Sequence, residues 1–186
     1  MCYVDDILCV DHDPSAPMKH LGTIYRMKED SIGSPSIYLG ANVKEWTVQD
    51  EFGKCTTCYV MGSSSYVKES IRIVENLMEK HDISHTSTRR NGRSSPFSSA
   101  DYRPELDSTE YLNEELITVY QNLMGMLRWI CELGQIDIIH ESTLLLQYMV
   151  QPRAGYLNQA LNIFKYLKTS DLNGWLLFDA SDFDIE

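Results

Sequence analysis

A chain of 186 residues holds one ordinary domain or two small lobes, and at 43% hydrophobic and 23% charged residues it is globular in composition, so a buried core is expected. A net charge of −11 excludes a protein that coats itself in nucleic acid, and any such contact is expected to be local, between Tyr66 and Arg103, where basic residues outnumber acidic ones. No apolar run reaches the roughly eighteen residues of a membrane span and no secretory signal is visible, so no membrane partner is expected, while five scattered cysteines read as a reduced, intracellular protein.

In chain order, the first ten residues read as a β-hairpin with Asp5 and Asp6 at its turn, flanked by Tyr3, Val4, Ile7 and Leu8. A short helix is expected from about Ser15 to Met27, with Met18, Leu21, Ile24 and Tyr25 at helical spacing, and a turn at 31–36. A second β region opens at Tyr38-Leu39-Gly40, followed by strands at Lys44–Val48 and Thr56–Met61. Ser63, Ser64 and Ser65 offer N-caps to a helix whose Val67, Ile71, Val74 and Met78 share one face. His85 to Ser108 has no hydrophobic period and reads as a linker or an ordered surface loop. Three helical stripes follow: Leu116 to Ile130, broken by Gly134; Ile138 to Val150, stopped by Pro152; and Leu157 to Leu167. They are read as core, with Tyr120 and Trp129 as packing groups. The run Trp175-Leu176-Leu177-Phe178 looks strand-like.

Two adjacent carboxylates at a hairpin turn can aim hard oxygens at one point, which suits Mg²⁺ and two-metal phosphoryl transfer. The alternative is a solvated turn, where Asp bonds to nearby backbone. Cys55-Thr56-Thr57-Cys58 is half of a zinc pattern without a second pair at matching distance, so it reads as two free thiols on a strand. The basic run Thr88–Arg93 is either a phosphate contact or a solvated loop.

Tyr3-Val4-Asp5-Asp6 resembles the catalytic motif of copia-type retrotransposon reverse transcriptases. Tyr25-Arg26-Met27-Lys28-Glu29-Asp30, Gly33 and Tyr38-Leu39-Gly40 are similar to the stretch that follows it in that family. Tyr102–Asp107, Tyr120–Trp129, Gly134–Ile138, Pro152–Leu157 and Lys165–Lys168 continue the resemblance in order over nearly the whole chain. Two departures stand out: the family usually has Arg at Gln135 and His at Tyr156.

The resemblance implies an α+β fold: a partial reverse-transcriptase palm of β-hairpins and a helix over 1–61, a thumb-like helix and Ser/Arg/Pro-rich linker over 62–108, and a helical connection-like lobe over 109–186. It implies RNA-directed DNA polymerase activity in a parent polyprotein that also carries integrase and ribonuclease H. Asp5 and Asp6 are then the catalytic residues and ligands of Mg²⁺ or Mn²⁺, and Tyr3 lies near the primer end. Tyr38, Leu39 and Gly40 position the primer strand, and Lys68 and Arg72 approach the nucleic-acid backbone. RNA template, DNA primer and deoxynucleotides are the implied partners, in the cytoplasm or in virus-like particles. The fingers, a further upstream carboxylate and the ribonuclease H domain fall outside these residues, so the isolated chain is expected not to polymerise DNA alone. The competing expectation is a non-catalytic relic, or a domesticated module that binds a protein or nucleic acid without reacting.

Overall fold

The period-two alternation between Ala41 and Gly62 folds back on itself as a long antiparallel hairpin, and the rest of the fold is built onto it. The structure is a computed structural model that describes residues 2–3 (backbone only), 6–9, 13–28, 32–49, 52–53, 55–83, 95–99, 101–169 and 174–178. Among these the order is β1 (Cys2–Tyr3), β2 (Asp6–Ile7), α1 (Ser15–Ile24), β3 (Ile37–Tyr38), β4 (Ala41–Gln49), β5 (Cys55–Gly62), α2 (Ser64–Lys80), α3 (Glu114–Glu132), α4 (Ile139–Leu146), α5 (Ala154–Thr169) and β6 (Trp175–Phe178). Short 3₁₀ turns lie at Pro104–Leu106 and Ile136–Ile138. The architecture is mixed α and β, with a four-stranded antiparallel sheet in the order β3-β4-β5-β6.

β4 and β5 pair from Asn42↔Gly62 to Gln49↔Cys55, and β6 adds to β5 with Gly62 opposite Trp175 and Tyr59 opposite Phe178. A Cβ on Gly62 would stand 2.8 Å from the Trp175 ring, so glycine lets the indole lie on the strand. Lys44 Nζ sits 4.0 Å from the centre of that ring and 4.9 Å from the ring of Trp46, a cation held between two aromatic faces. Cys55 is exposed and Cys58 buried. Three positions apart on a strand, they face opposite sides and do not converge.

Helices α2 to α5 share one core, in which Tyr120, Leu123, Met124, Leu127, Ile130 and Ile163 are fully buried. Each such side chain contributes about 1.5–3 kcal/mol relative to exposure. Val74 of α2 and Phe97 enter the same core. The stretches divided along the chain therefore interleave in space: residues 95–108, where described, pack against α5, and β6 reaches back to the sheet.

Three local expectations change. No serine side chain caps α2; Asn42 of β4 accepts from Ser65 N at 3.3 Å, while Ser63 Oγ donates to Gln135 Oε1 at 3.5 Å. α1 ends at Ile24 with no buried residue: Met18 and Leu21 are half-buried, and Ile24 and Tyr25 are exposed. α4 ends at Leu146 rather than Val150. There α3 meets the chain, with Tyr120 OH donating to Leu145 O (2.7 Å) and Gln121 Nε2 to Met149 O (3.0 Å), and Pro152 has no N–H to carry the helix on.

Gln135 and Tyr156 both acquire structural partners. Gln135, buried where α3 ends, accepts at Oε1 from Ser63 Oγ and from Gly174 N (3.4 Å), and its Nε2 donates to Asp137 Oδ1 at 2.6 Å. An arginine has no acceptor and cannot make the first two bonds. Tyr166 OH donates to Asp137 Oδ2 at 2.8 Å, and burial together with that bond pushes its phenol up to about 12. Tyr156 OH donates to Pro104 O at 3.0 Å and its ring packs 4.7 Å from that of Tyr148.

The start of α5 is tied to the 102–111 segment through Thr109 and Arg153, and the Asp107 carboxylate holds that segment together. Asp107 Oδ2 accepts from Tyr102 OH (2.7 Å), and Oδ1 accepts from Thr109 N (2.9 Å) and Oγ1 (2.5 Å). Thr109 Oγ1 in turn accepts from Gly155 N at 2.8 Å, and Arg153 donates to Thr109 O and Tyr111 OH. Burial alone would raise the Asp107 carboxyl, but the Thr109 and Tyr102 bonds and the Arg153 charge together hold it below the ordinary aspartate range. A carboxyl depressed by folding adds stability that is present above its unfolded value and lost as the pH falls through its folded value. The gap in melting temperature between the unmodified chain and Asp107→Asn is therefore expected to narrow as the pH drops below about 4. Thermal melts across that range check this; a constant gap would show that the Asp107 charge contributes nothing.

Candidate functional site

β1 and β2 pair antiparallel with Cys2 opposite Ile7 and Tyr3 opposite Asp6. The register leaves Val4 and Asp5 between the strands in sequence, and both lie outside the described residues, as does the Tyr3 side chain. Asp6 and Ile7 are exposed. They line a cleft of about 540 Å³ whose other walls include Met18 of α1, Met27, Ile32 and Tyr38 of β3. The fold thus brings Asp6 and Tyr38, read from the sequence as a catalytic and a primer-positioning residue, to the same cleft. Leu8, just after β2, packs with Leu39 against the sheet cluster of Tyr38, Ala41, Val43 and Met61.

Beyond Tyr38 the chain reverses through Leu39 and Gly40, since Tyr38 pairs with Ala41. Leu39 has φ 52° and Gly40 φ 84°. Positive φ at both central residues is the type I′ turn that matches strand twist. For Leu39 the left-handed conformation costs about 1–2 kcal/mol, and the surroundings offset it. The Trp129 indole N–H donates to Leu39 O at 3.3 Å, and Leu39 and Tyr66 of α2 both pack against the sheet cluster. The Tyr38-Leu39-Gly40 segment is a strained turn held by α2 and α3.

Lys68 and Arg72 do not line the cleft. Both are exposed on α2, and Arg72 forks onto Glu69 at 2.9 and 2.6 Å, an exposed pair that a phosphate would have to displace. The Thr88–Arg93 run lies outside the described residues.

Two contributors escaped the sequence reading. Trp129, a packing group by sequence, carries the polar link to the turn; its one signal is an aromatic residue just off the buried stripe of α3. Tyr66 carried no signal, since its neighbour Gly40 is distant in the chain.

No protein-family model, curated protein or solved structure matches the chain. What the site can do is therefore argued from its own residues. Carboxylate oxygens suit a hard cation, and Asp6 presents one on the cleft. Among the described residues no group of three or more His, Cys, Asp or Glu side chains converges to hold a metal, so these residues do not complete a metal site, and no catalytic step is derived through an ion. Nor is any helix among them long and apolar enough to cross a membrane.

Proposed function

We propose that this chain carries the acid-bearing palm hairpin and the following thumb-like and connection-like parts of a copia-type reverse transcriptase, an RNA-directed DNA polymerase. The observation that supports it best is the shared cleft: Asp6 and Tyr38 come from two segments that resemble successive parts of that enzyme, and both line one cavity. In this reading Asp5 and Asp6 contribute carboxylates for Mg²⁺ or Mn²⁺, which when bound offsets charge developing on phosphoryl oxygens. The Tyr38–Gly40 turn orients the primer strand, with Tyr3 near its end. Lys68 and Arg72 approach the duplex backbone, Arg72 after leaving Glu69. RNA template, DNA primer and deoxynucleotides are the partners, and integrase and ribonuclease H belong to the parent polyprotein.

The test is a chimaera in which residues 1–186 replace the corresponding stretch of an active copia-type reverse transcriptase. It is expected to extend a primed RNA template in the presence of Mg²⁺ or Mn²⁺. A folded chimaera that binds template but extends no primer would refute the catalytic reading. That result would favour the second one, a non-catalytic retroelement-derived interaction module, with which a net charge of −11 agrees.

A further inference from the structure

The central peptide of the β3–β4 turn has one occupied end and one open end. Its carbonyl, on Leu39, accepts from the Trp129 indole N–H at 3.3 Å. Its amide belongs to Gly40, and a planar trans peptide sets N–H opposite C=O, so the Gly40 N–H is aimed away from Trp129. Gly40 is exposed, and among the described residues no backbone bond uses that N–H. Turning the central peptide over would convert the type I′ turn into type II′, taking the second central residue out of positive φ. The indole N–H opposes this rotation. It does so from a fixed base, because Leu127 and Ile130, close to Trp129 on α3, are fully buried.

We propose that Trp129 is a positioning residue, whose indole N–H holds the Leu39–Gly40 peptide so that the Gly40 N–H donates to a phosphodiester oxygen of a nucleic-acid strand. The strand's identity rests on the polymerase reading; the peptide orientation does not. Open backbone N–H groups in turns are donors to anions, and glycine lets a phosphate approach the main chain closely. In a chain of net charge −11 such a contact is necessarily local, and a neutral, directed donor adds no basic patch.

The full chain, labelled with ¹⁵N, is titrated with a 3′-recessed DNA–RNA duplex and separately with inorganic phosphate, following the Gly40 amide by NMR. The duplex is expected to shift that amide in the unmodified chain. Trp129→Phe keeps the ring and loses the donor; it is expected to abolish the Gly40 shift and weaken duplex binding by roughly fivefold, leaving amides of the α3–α5 core unchanged. Trp129→His, which retains a ring N–H, is expected to restore part of the shift, and it decides the matter should the Phe variant disturb the core. An equal Gly40 shift in Trp129→Phe overturns the positioning role while leaving the polymerase reading intact. A Gly40 response to phosphate but not to duplex overturns the strand assignment. No response in the unmodified chain overturns the proposal, while primer extension by the chimaera judges the polymerase reading separately.

Discussion

Gly155→Ala is expected to destabilise the chain by roughly 2–4 kcal/mol, lowering the melting temperature by about 5–15 °C. The reason is local and severe: a Cβ at this position would stand 1.8 Å from Asp107 Oδ2 and 2.6 Å from Cγ. A carboxylate at the tip of a side chain can often swing aside. Here it is held by Tyr102 OH and by both donors of Thr109, so moving it breaks three bonds to a charged acceptor. It also disturbs Thr109 Oγ1, the acceptor for Gly155 N at the first turn of α5. A double-mutant cycle separates this cause from any general penalty of the substitution. In an Asp107→Ala background the alanine at 155 is expected to cost little more. If Gly155→Ala lowers stability equally with and without Asp107, the collision is not the cause.

The second large effect concerns chemistry. In the chimaera, Asp6→Ala is expected to reduce primer extension on the order of a hundredfold to a thousandfold, the usual consequence of removing one preorganised electrostatic partner of a transition state. The loss should fall on kcat more than on KM for the nucleotide, because the carboxylate acts where charge develops rather than where the substrate is first bound. Folding should be little affected: Asp6 is exposed, and it pairs with Tyr3 through backbone that alanine retains. Asp5→Ala is expected to act alike through the other member of the pair. Unchanged extension by Asp6→Ala, measured under single-turnover conditions, would remove Asp6 from the catalytic site and with it the meaning of the shared cleft.

The regular elements could be read from the sequence because their signals are local. Alternation marked β4 and β5, the 3.6-residue stripes marked α2, α3 and α5, and four apolar residues marked β6, whose strand joins β5. Tyr38-Leu39-Gly40 reads from the sequence as the opening of a β region, and only the structure shows the tight reversal there, with Leu39 and Gly40 both at positive φ. The acid pair was visible as two carboxylates between β-formers, but the register puts Asp6 inside β2 opposite Tyr3 rather than at the turn.

What the tertiary structure alone decided are the partners of polar and strained groups. Asn42 rather than the serines receives the first turn of α2, because β4 delivers an amide there. Tyr120 and Gln121 of α3 donate to Leu145 O, near the end of α4, and to Met149 O beyond it. Asp107 faces Gly155, and Trp129 reaches Leu39 across 90 positions of sequence. Apart from α1, whose apolar stripe holds no buried residue, periodicity records which face of an element is buried, and this the sequence determined by itself. It carries no record of which distant backbone atom meets that face, since hydrogen-bond partners are chosen only when close packing brings elements from far along the chain to within about 3 Å of one another.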